Sequence, residues 1–187
     1  MDELKRLFQD RFNTPVESIE DIQGELGASR RKIVRLANNT CSAVGIYCDV
    51  PDENAAFIEF SRHFHKHGLP VPEIYADDLN CNVYLVEDLG NMTLYQFLQE
   101  NRAGEKISPV VIEAYRKVIA MLPRFQIEAG RDLNYEMCYP RKSFDQQSIS
   151  WDLNYFKYYF LKLVHVPFNE QAIEDDFKSL TDFLVQA

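Results

Sequence analysis

Cysteines are few in this sequence and form no recognisable pattern. The chain of 187 residues holds four of them, and no two are spaced as a Cys-x-x-Cys pair. The spacing indicates neither a zinc site nor a disulfide framework. We expect reduced and mostly buried thiols, as is typical of a cytosolic protein.

Long apolar runs and clustered basic residues are also scarce. No stretch approaches the roughly 20 apolar residues that a membrane-spanning helix needs, and residues 1–6 lack the apolar centre of a signal peptide. The formal net charge is −9, whereas nucleic-acid binding needs clustered Lys and Arg. The sequence therefore predicts a soluble, cytoplasmic protein with no nucleic-acid partner and no membrane contact.

The first half of the chain is predicted to form a small antiparallel sheet with two helices. Apolar residues at helical spacing predict an amphipathic helix over residues 2–12. A second helix is expected between the third and fourth strands, from Pro51 to about His67, with Gly68 as its stop signal. Alternating and β-branched stretches predict five strands, over residues 18–22, 31–36, 42–48, 74–75 and 83–86.

The second half is predicted to be helical. A helix opens at Thr93, and the Ser108–Pro109 dipeptide is a capped start for the next one. Pro123 predicts a kink. An aromatic helix is expected over residues 150–163, and Asn169 is placed to cap the last helix.

Three stretches resemble the aminoglycoside-phosphotransferase superfamily of small-molecule kinases. They are the first hairpin at Gly27–Leu36 (GASRRKIVRL), the helix with its continuation at Phe57–Tyr75 (FIEFSRHFHKHGLPVPEIY), and the last strand at Tyr84–Gly90 (YLVEDLG). The sequence looks most similar to the bacterial cell-wall amino-sugar kinases, which phosphorylate N-acetylmuramate or N-acetylglucosamine. The likeness covers residues 20–98 and is generic beyond them.

The resemblance implies an α+β, protein-kinase-like fold. Residues 1–90 would form a five-stranded N-terminal lobe with a hinge at residues 87–91, and residues 91–187 would supply the first helices of the C-terminal lobe. The implied activity is phosphoryl transfer from ATP, with Mg²⁺, to a small hydroxylated substrate such as an amino sugar. The alternative is a non-catalytic binding or interaction module that has a kinase-like front lobe.

The catalytic signature of that superfamily is not found in this sequence. The signature is H-G-D-x-H-x-x-N, or a variant with R-D in place of G-D. Here the one His-Gly pair is followed by Leu69, and Asp132 of the Arg-Asp pair has no asparagine at the needed spacing. We therefore assign no catalytic residue. We expect the catalytic loop to lie beyond Ala187 and this chain alone to be inactive.

Candidate phosphate contacts lie in the first hairpin, where backbone N–H groups could approach phosphate oxygens. The residues concerned are Gly24, Gly27, Ala28 and Ser29. The plain alternative is that the glycines serve only the turn. Arg31 and Arg35 follow on one face of the next strand, where one of them could neutralise phosphate charge. The alternative for these arginines is a solvated strand edge that opposes aggregation.

A strand–helix ion pair is a second feature that the resemblance implies. Kinases place a Lys on the third strand and pair it with a Glu on the next helix. The third strand predicted here contains no Lys or Arg, which departs from the superfamily. Glu59 is the expected helix carboxylate, with Arg31 or Arg35 as its cation, unless it pairs only with neighbours on the helix surface.

The adenine hinge is expected at Glu87, Asp88 and Leu89, because a helix opens at Thr93 directly afterwards. Backbone carbonyl and N–H groups would recognise the base there, so the side chains are a poor test. The alternative is a strand end with acidic side chains that are merely solvated.

Three histidines on the inserted helix raise the question of a metal. Glu59, His63 and His67 share one helix face, and His65 points away from it. A metal site needs a further ligand and supporting hydrogen bonds. We therefore expect structural or surface histidines and assign no metal ligand.

Aromatic and apolar side chains dominate the last two helices. The rings of residues 151–160 could form a wall on which a sugar stacks, although their helical spacing favours core packing. If part of the fold were missing, the last helix would expose some of its apolar side chains, which are Phe177, Leu180, Phe183 and Leu184. Self-association through the C-terminal helices is then expected.

Overall fold

Five antiparallel strands form the sheet of this α+β protein. In the computed structural model, which describes residues 1–22, 30–102 and 107–186, the strands lie in the order β1-β2-β3-β5-β4. Their bounds are β1 Ser18–Asp21, β2 Lys32–Ala37, β3 Ser42–Tyr47, β4 Ile74–Asp78 and β5 Val83–Glu87. The predicted α+β class and all five predicted strands are confirmed, with shifts of one to three residues at some ends.

One helix covers each face of the sheet. Helix α1 (Asp2–Phe12) packs its buried residues Leu4, Leu7 and Phe8 against one face. Helix α2 (Pro51–Lys66) lies on the other face, where Ile58 joins a second apolar cluster. Side chains alternate across a strand, so a strand between two helices is buried on both sides.

Gly45 in β3 allows α1 to approach the sheet closely. A Cβ atom at this position would lie 2.5 Å from Cδ1 of Leu36 and 3.1 Å from Cδ2 of Leu4. Any larger residue would therefore clash with the Leu36 side chain and crowd Leu4 of α1. The glycine is part of the packing and does not serve a turn.

Helices α3 and α4 follow the sheet in the chain. Helix α3 (Leu94–Glu100) has a capping box, in which Thr93 and Gln96 satisfy each other's backbone N–H groups. Ser108 caps α4 (Pro109–Pro123), as predicted. Pro123 ends α4, and the chain continues into a π-helical turn, a change of hydrogen-bond register that accommodates the missing proline N–H.

The chain divides into two compact units, Met1–Tyr139 and Pro140–Ala187. This division lies well after the hinge that is expected at residues 87–91, so the lobe boundary there stays a prediction. Short 3₁₀ turns complete the first unit, at Ala129–Asp132 and Tyr135–Met137. Among the described residues, no helix combines the length and the apolar character needed to cross a bilayer.

The second unit contains α5 (Gln146–Phe156) and α6 (Glu170–Val185). Helix α5 begins four residues before the predicted start at residue 150, because Asp145 caps it by accepting from two backbone N–H groups. Asn169 caps α6 by accepting from the Ala172 N–H at 2.9 Å, as predicted.

Candidate functional site

The face of the sheet on the α2 side carries an apolar strip and an arginine; we refer to it as the α2 face. Strand register places Arg35 of β2 opposite Val44 of β3, which in turn lies opposite Val86 of β5. Opposite residues share a face, and Val44 and Val86 both belong to the apolar cluster under α2. Ile33 belongs to the same cluster, so the arginine borders a continuous apolar surface.

Arg35 is tied to the segment that follows β5. Its Nε lies 2.7 Å from Oδ2 of Asp88 and its Nη2 lies 3.1 Å from Oδ1, which is a two-point contact. Arg35 also contacts Glu20 at 2.9 Å and Asn91 at 2.7 Å. The Asp88 side chain is 9% exposed. Arg35 therefore links β1, β2 and the segment after β5.

The Arg35 contact lowers the pKa of Asp88. The hydrogen bond from the guanidinium is the largest cause, and the Gly90 backbone N–H adds to it by donating to Oδ1 at 3.0 Å. The pKa of Arg35 is raised in turn, chiefly by its hydrogen bond to Asp88. Both groups are thus held in their charged forms.

Arg31, directly before β2, forms an ion pair with α2. Its Nη2 lies 2.6 Å from Oε1 of Glu53 in the first turn of α2. The guanidinium also lies over the ring of Phe57, 5.3 Å from the ring centroid. Arg31 stands just before β2, and its side chain is 26% exposed. It remains within reach of solvent while it is anchored to α2.

The prediction that Glu59 forms an ion pair with Arg31 or Arg35 is wrong. Arg31 pairs with Glu53, Arg35 pairs with Asp88 and Glu20, and Glu59 is exposed. The physical reason is the phase of α2. Glu53 and Phe57 are four residues apart and face the sheet, whereas Glu59 is two residues further on and turned by about 200° from Phe57.

The adenine hinge expected at Glu87, Asp88 and Leu89 stays a prediction. The Asp88 side chain binds Arg35, and the Glu87 carboxylate accepts from the Glu73 backbone N–H at 3.3 Å. The side chain of Leu89 is 66% exposed, and no hydrogen bond from its backbone N–H is found within the described residues. Leu89 therefore offers the kind of backbone donor that a base could use.

Part of the expected phosphate loop lies outside the described residues. This applies to Gly24, Gly27, Ala28 and Ser29.

Strand β3 has no lysine, in contrast to the third strand of kinases. Its residues Val44 and Ile46 instead pack as apolar side chains under α2.

A buried hydroxyl lies in the same apolar cluster. The Tyr84 side chain is fully buried in β5, and its oxygen has no hydrogen-bond partner among the described residues. Burial raises the pKa of Tyr84 to about 12, with nearby Arg31 acting in the opposite direction. Sequence reasoning missed this group, because Tyr84 looks like an ordinary strand tyrosine.

Two of the three helix histidines meet a residue that sequence reasoning missed. His63 and His67 do share one face of α2, as predicted, and Asp132 lies beside both of them. Glu59, the expected third member of this face, is not part of the cluster. Asp132 is 65 residues from His67 in the chain, so no local spacing could have identified it.

The aromatic helix does not bury its rings within the second unit. Trp151 is 51% exposed, Tyr155 is 65% exposed and Tyr159 is 63% exposed. Tyr155 and Tyr159 stack on each other, with ring centroids 4.5 Å apart. The core packing that helical spacing favoured is therefore not seen in this unit.

Comparisons with known proteins add no family to this picture. No protein-family model matches the chain, and no curated protein matches it significantly.

Proposed function

We propose that residues 1–139 form the nucleotide-binding part of an ATP-dependent small-molecule phosphotransferase with a kinase-like fold. The observation that carries the proposal is the Arg31–Glu53 ion pair, which joins the start of β2 to α2 beside the apolar strip of the α2 face. Kinases use a strand–helix ion pair of this kind to hold a cation near the nucleotide phosphates. Here the cation comes from the residue before β2 and not from β3.

The α2 face offers a complementary group to each part of a nucleotide. Ile33 and Val44, which are partly exposed, would pack on adenine, and the backbone N–H of Leu89 would donate to the base. Arg31, which is partly exposed, would neutralise phosphate charge. Such positioning and charge neutralisation are most of what phosphoryl transfer requires from a protein.

Magnesium enters this proposal only as part of the Mg–ATP complex. The carboxylates of Glu20, Glu53 and Asp88 are each engaged by an arginine, so these residues are not assigned as metal ligands. An amino sugar is the proposed phosphate acceptor, on the resemblance of the first hairpin, the α2 segment and the last strand alone. The superfamily signature is not found in the sequence, so the proposal covers nucleotide binding and not turnover.

A second candidate is a non-catalytic module with the same front lobe. It is favoured by the pairing of Arg35 with Asp88 and Glu20, which leaves this arginine without a free donor face, and by the apolar side chains of β3. Such a module would keep the fold and bind a protein or a small molecule without ATP. Direct measurement of ATP binding separates the two candidates.

Isothermal titration calorimetry with Mg–ATP tests the proposal. We expect one site on the unmodified chain and a binding constant at least about tenfold weaker in Arg31→Gln, since a hydrogen-bonded charge contributes roughly 1.5–3 kcal/mol. Arg30→Gln is the matched control, because Arg30 is more exposed and pairs with Asp49. Absence of binding at millimolar ATP, or an equal loss in both variants, would exclude the proposed site and favour the module.

A further inference from the structure

The end of α2 and a turn far along the chain bring three metal-binding side chains together. His63 and His67 are one helical turn apart, with ring centroids separated by 4.6 Å. Asp132 lies at the end of the 3₁₀ turn Ala129–Asp132 and reaches both rings. One ligand atom from each residue lies within 4.8 Å of the other two.

The distances match those between ligands of one small cation. Oδ1 of Asp132 lies 3.1 Å from Nε2 of His67 and 3.7 Å from Nε2 of His63. Ligand atoms about 2.0–2.2 Å from a tetrahedral Zn²⁺ are roughly 3.3–3.6 Å apart. The two measured distances bracket this range, so small side-chain adjustments would complete the geometry.

The hydrogen bonds of the cluster leave room for a cation. Nε2 of His67 is shielded from solvent, and within the described part of the chain it makes no well-aligned hydrogen bond, although Asp132 is close. Nε2 of His63 lies 2.7 Å from the Ala129 carbonyl oxygen, so this nitrogen carries the proton in the metal-free form. A metal would replace that proton, as is usual when imidazole becomes a ligand.

The three side chains of the cluster differ in how far they are exposed to solvent. The side chain of His63 is 13% exposed, that of His67 is 29% exposed and that of Asp132 is 61% exposed. The imidazoles are thus held in place by the fold, while the carboxylate side of the cluster opens to solvent. An incoming cation could therefore first meet the exposed carboxylate of Asp132.

A second group of potential metal ligands in the same unit differs from the histidine cluster in its partners. Glu3, Asp78 and Cys81 also lie close together, but the Arg6 guanidinium contacts Glu3 at 2.8 Å and Asp78 at 2.5 Å. That cluster already has its cation. The described residues give the histidine cluster no comparable Lys or Arg ion pair.

We propose that His63, His67 and Asp132 bind a divalent transition-metal cation of the Zn²⁺ type. Two imidazoles and one carboxylate are a donor set that suits Zn²⁺ and its neighbours better than Mg²⁺ or Ca²⁺. The cation would join the C-terminal end of α2 to the turn at Ala129–Asp132 and so stabilise the first unit. This site is separate from the α2 face, and its test does not depend on ATP.

The test is a titration of the chelator-treated full chain with Co²⁺, followed by visible absorption and by calorimetry. We expect one Co²⁺ per chain, the d–d absorption of a site with nitrogen and oxygen ligands, and a rise in melting temperature. Zn²⁺ should displace the Co²⁺ signal. Since even groups outside the coordination sphere change metal affinity about 10–100-fold, His67→Gln and Asp132→Asn should each weaken binding at least tenfold.

His65→Gln is the matched control, because His65 is exposed on the same helix and points away from the cluster. It should bind Co²⁺ like the unmodified chain. Asp132 is exposed enough for Asp132→Asn to fold, and circular dichroism checks this for every variant. Failure of Co²⁺ to bind, a sulfur charge-transfer band from a cysteine, or binding that survives both ligand substitutions would each overturn the proposal.

Discussion

In the sheet, Val83, Tyr84, Leu85 and Val86 of β5 are all buried, because α1 covers one face and α2 covers the other. In residues 140–186, Ile149 is the only apolar side chain of the buried set, beside the polar residues Ser148, Lys157 and Thr181. Both regions are rich in apolar side chains in the sequence. They differ in whether other elements cover these apolar side chains.

Ion pairs connect the end of α5 to α6 in the second unit. The Lys157 side chain is 6% exposed, and its Nζ lies 2.6 Å from Glu170 and 2.5 Å from Glu174, which ties α5 to α6. The hydrogen bonds to these carboxylates, Glu170 first, raise the pKa of Lys157. Helical periodicity of apolar residues therefore does not by itself produce a core, because an apolar helix face needs a partner surface.

The largest expected effect is on the free energy of unfolding, when a large apolar side chain is truncated in β5, the strand that helices cover on both faces. Leu85→Ala should lower the free energy of unfolding by about 2–5 kcal/mol, because Leu85 is fully buried and the cavity cannot collapse. Leu180→Ala deletes the same atoms from α6, where the side chain is 43% exposed, and should cost less than about 1 kcal/mol.

Urea unfolding followed by circular dichroism measures the first change. Trp151 is the only tryptophan of the chain and lies in the second unit, so its fluorescence reports the Leu180 variant. Equal losses of unfolding free energy in the two variants would show that the second unit has a buried core of its own, like the sheet.

The next effect concerns the contact between Arg35 and Asp88. Asp88→Asn should destabilise the first unit by roughly 2 kcal/mol at neutral pH, as is typical for hydrogen bonds to charged groups after allowance for solvent screening. The folded-state pKa of Asp88 is lowered. Its stabilisation is therefore present above the unfolded-state pKa of about 3.9 and is lost as the pH falls through the lower folded value.

Unfolding measured from acid to neutral pH checks this prediction. The stability curves of the unmodified chain and Asp88→Asn should converge at acid pH and separate above it. Asp10→Asn is the control, because Asp10 is 65% exposed and pairs only loosely with Arg6. A pH-independent difference would mean that the Asp88 charge is not what matters.

A smaller effect is expected on association. Phe183 is 68% exposed on α6, and exposed aromatic surface drives association. Sedimentation velocity should show self-association that rises with concentration and weakens in Phe183→Ser. Tyr95→Ser, at a position also 68% exposed but in the first unit, should leave it unchanged. A monomer at high concentration would count against this prediction.

The smallest effect is expected at Tyr84. Tyr84→Phe removes a buried hydroxyl that lacks a partner within the described residues, so stability should stay the same or rise by up to about 1 kcal/mol. Because the folded-state pKa is about 12, the unmodified chain should lose stability as pH rises from about 10 towards that value. The variant should lose less, and marked destabilisation at neutral pH would reveal a hydrogen bond.

Much of the fold could be predicted because the signals were local. Alternation identified the strands, Pro51 marked the start of α2, and Asn169 marked the cap of α6. The candidate site was harder, since ion pairs depend on which helix face meets the sheet. The sequence pattern suggested Glu59, whereas the packing of α2 selected Glu53.

Strands and helices form where local signals place them, because hydrophobic period, proline and capping residues act over a few neighbours. Which side chains meet across long separations depends on the tertiary structure. It joined Arg35 to Asp88 and brought Asp132 beside His63 and His67. The physical reason is that a side chain's partner depends on the register, phase and packing of whole elements, and local spacing carries none of that information.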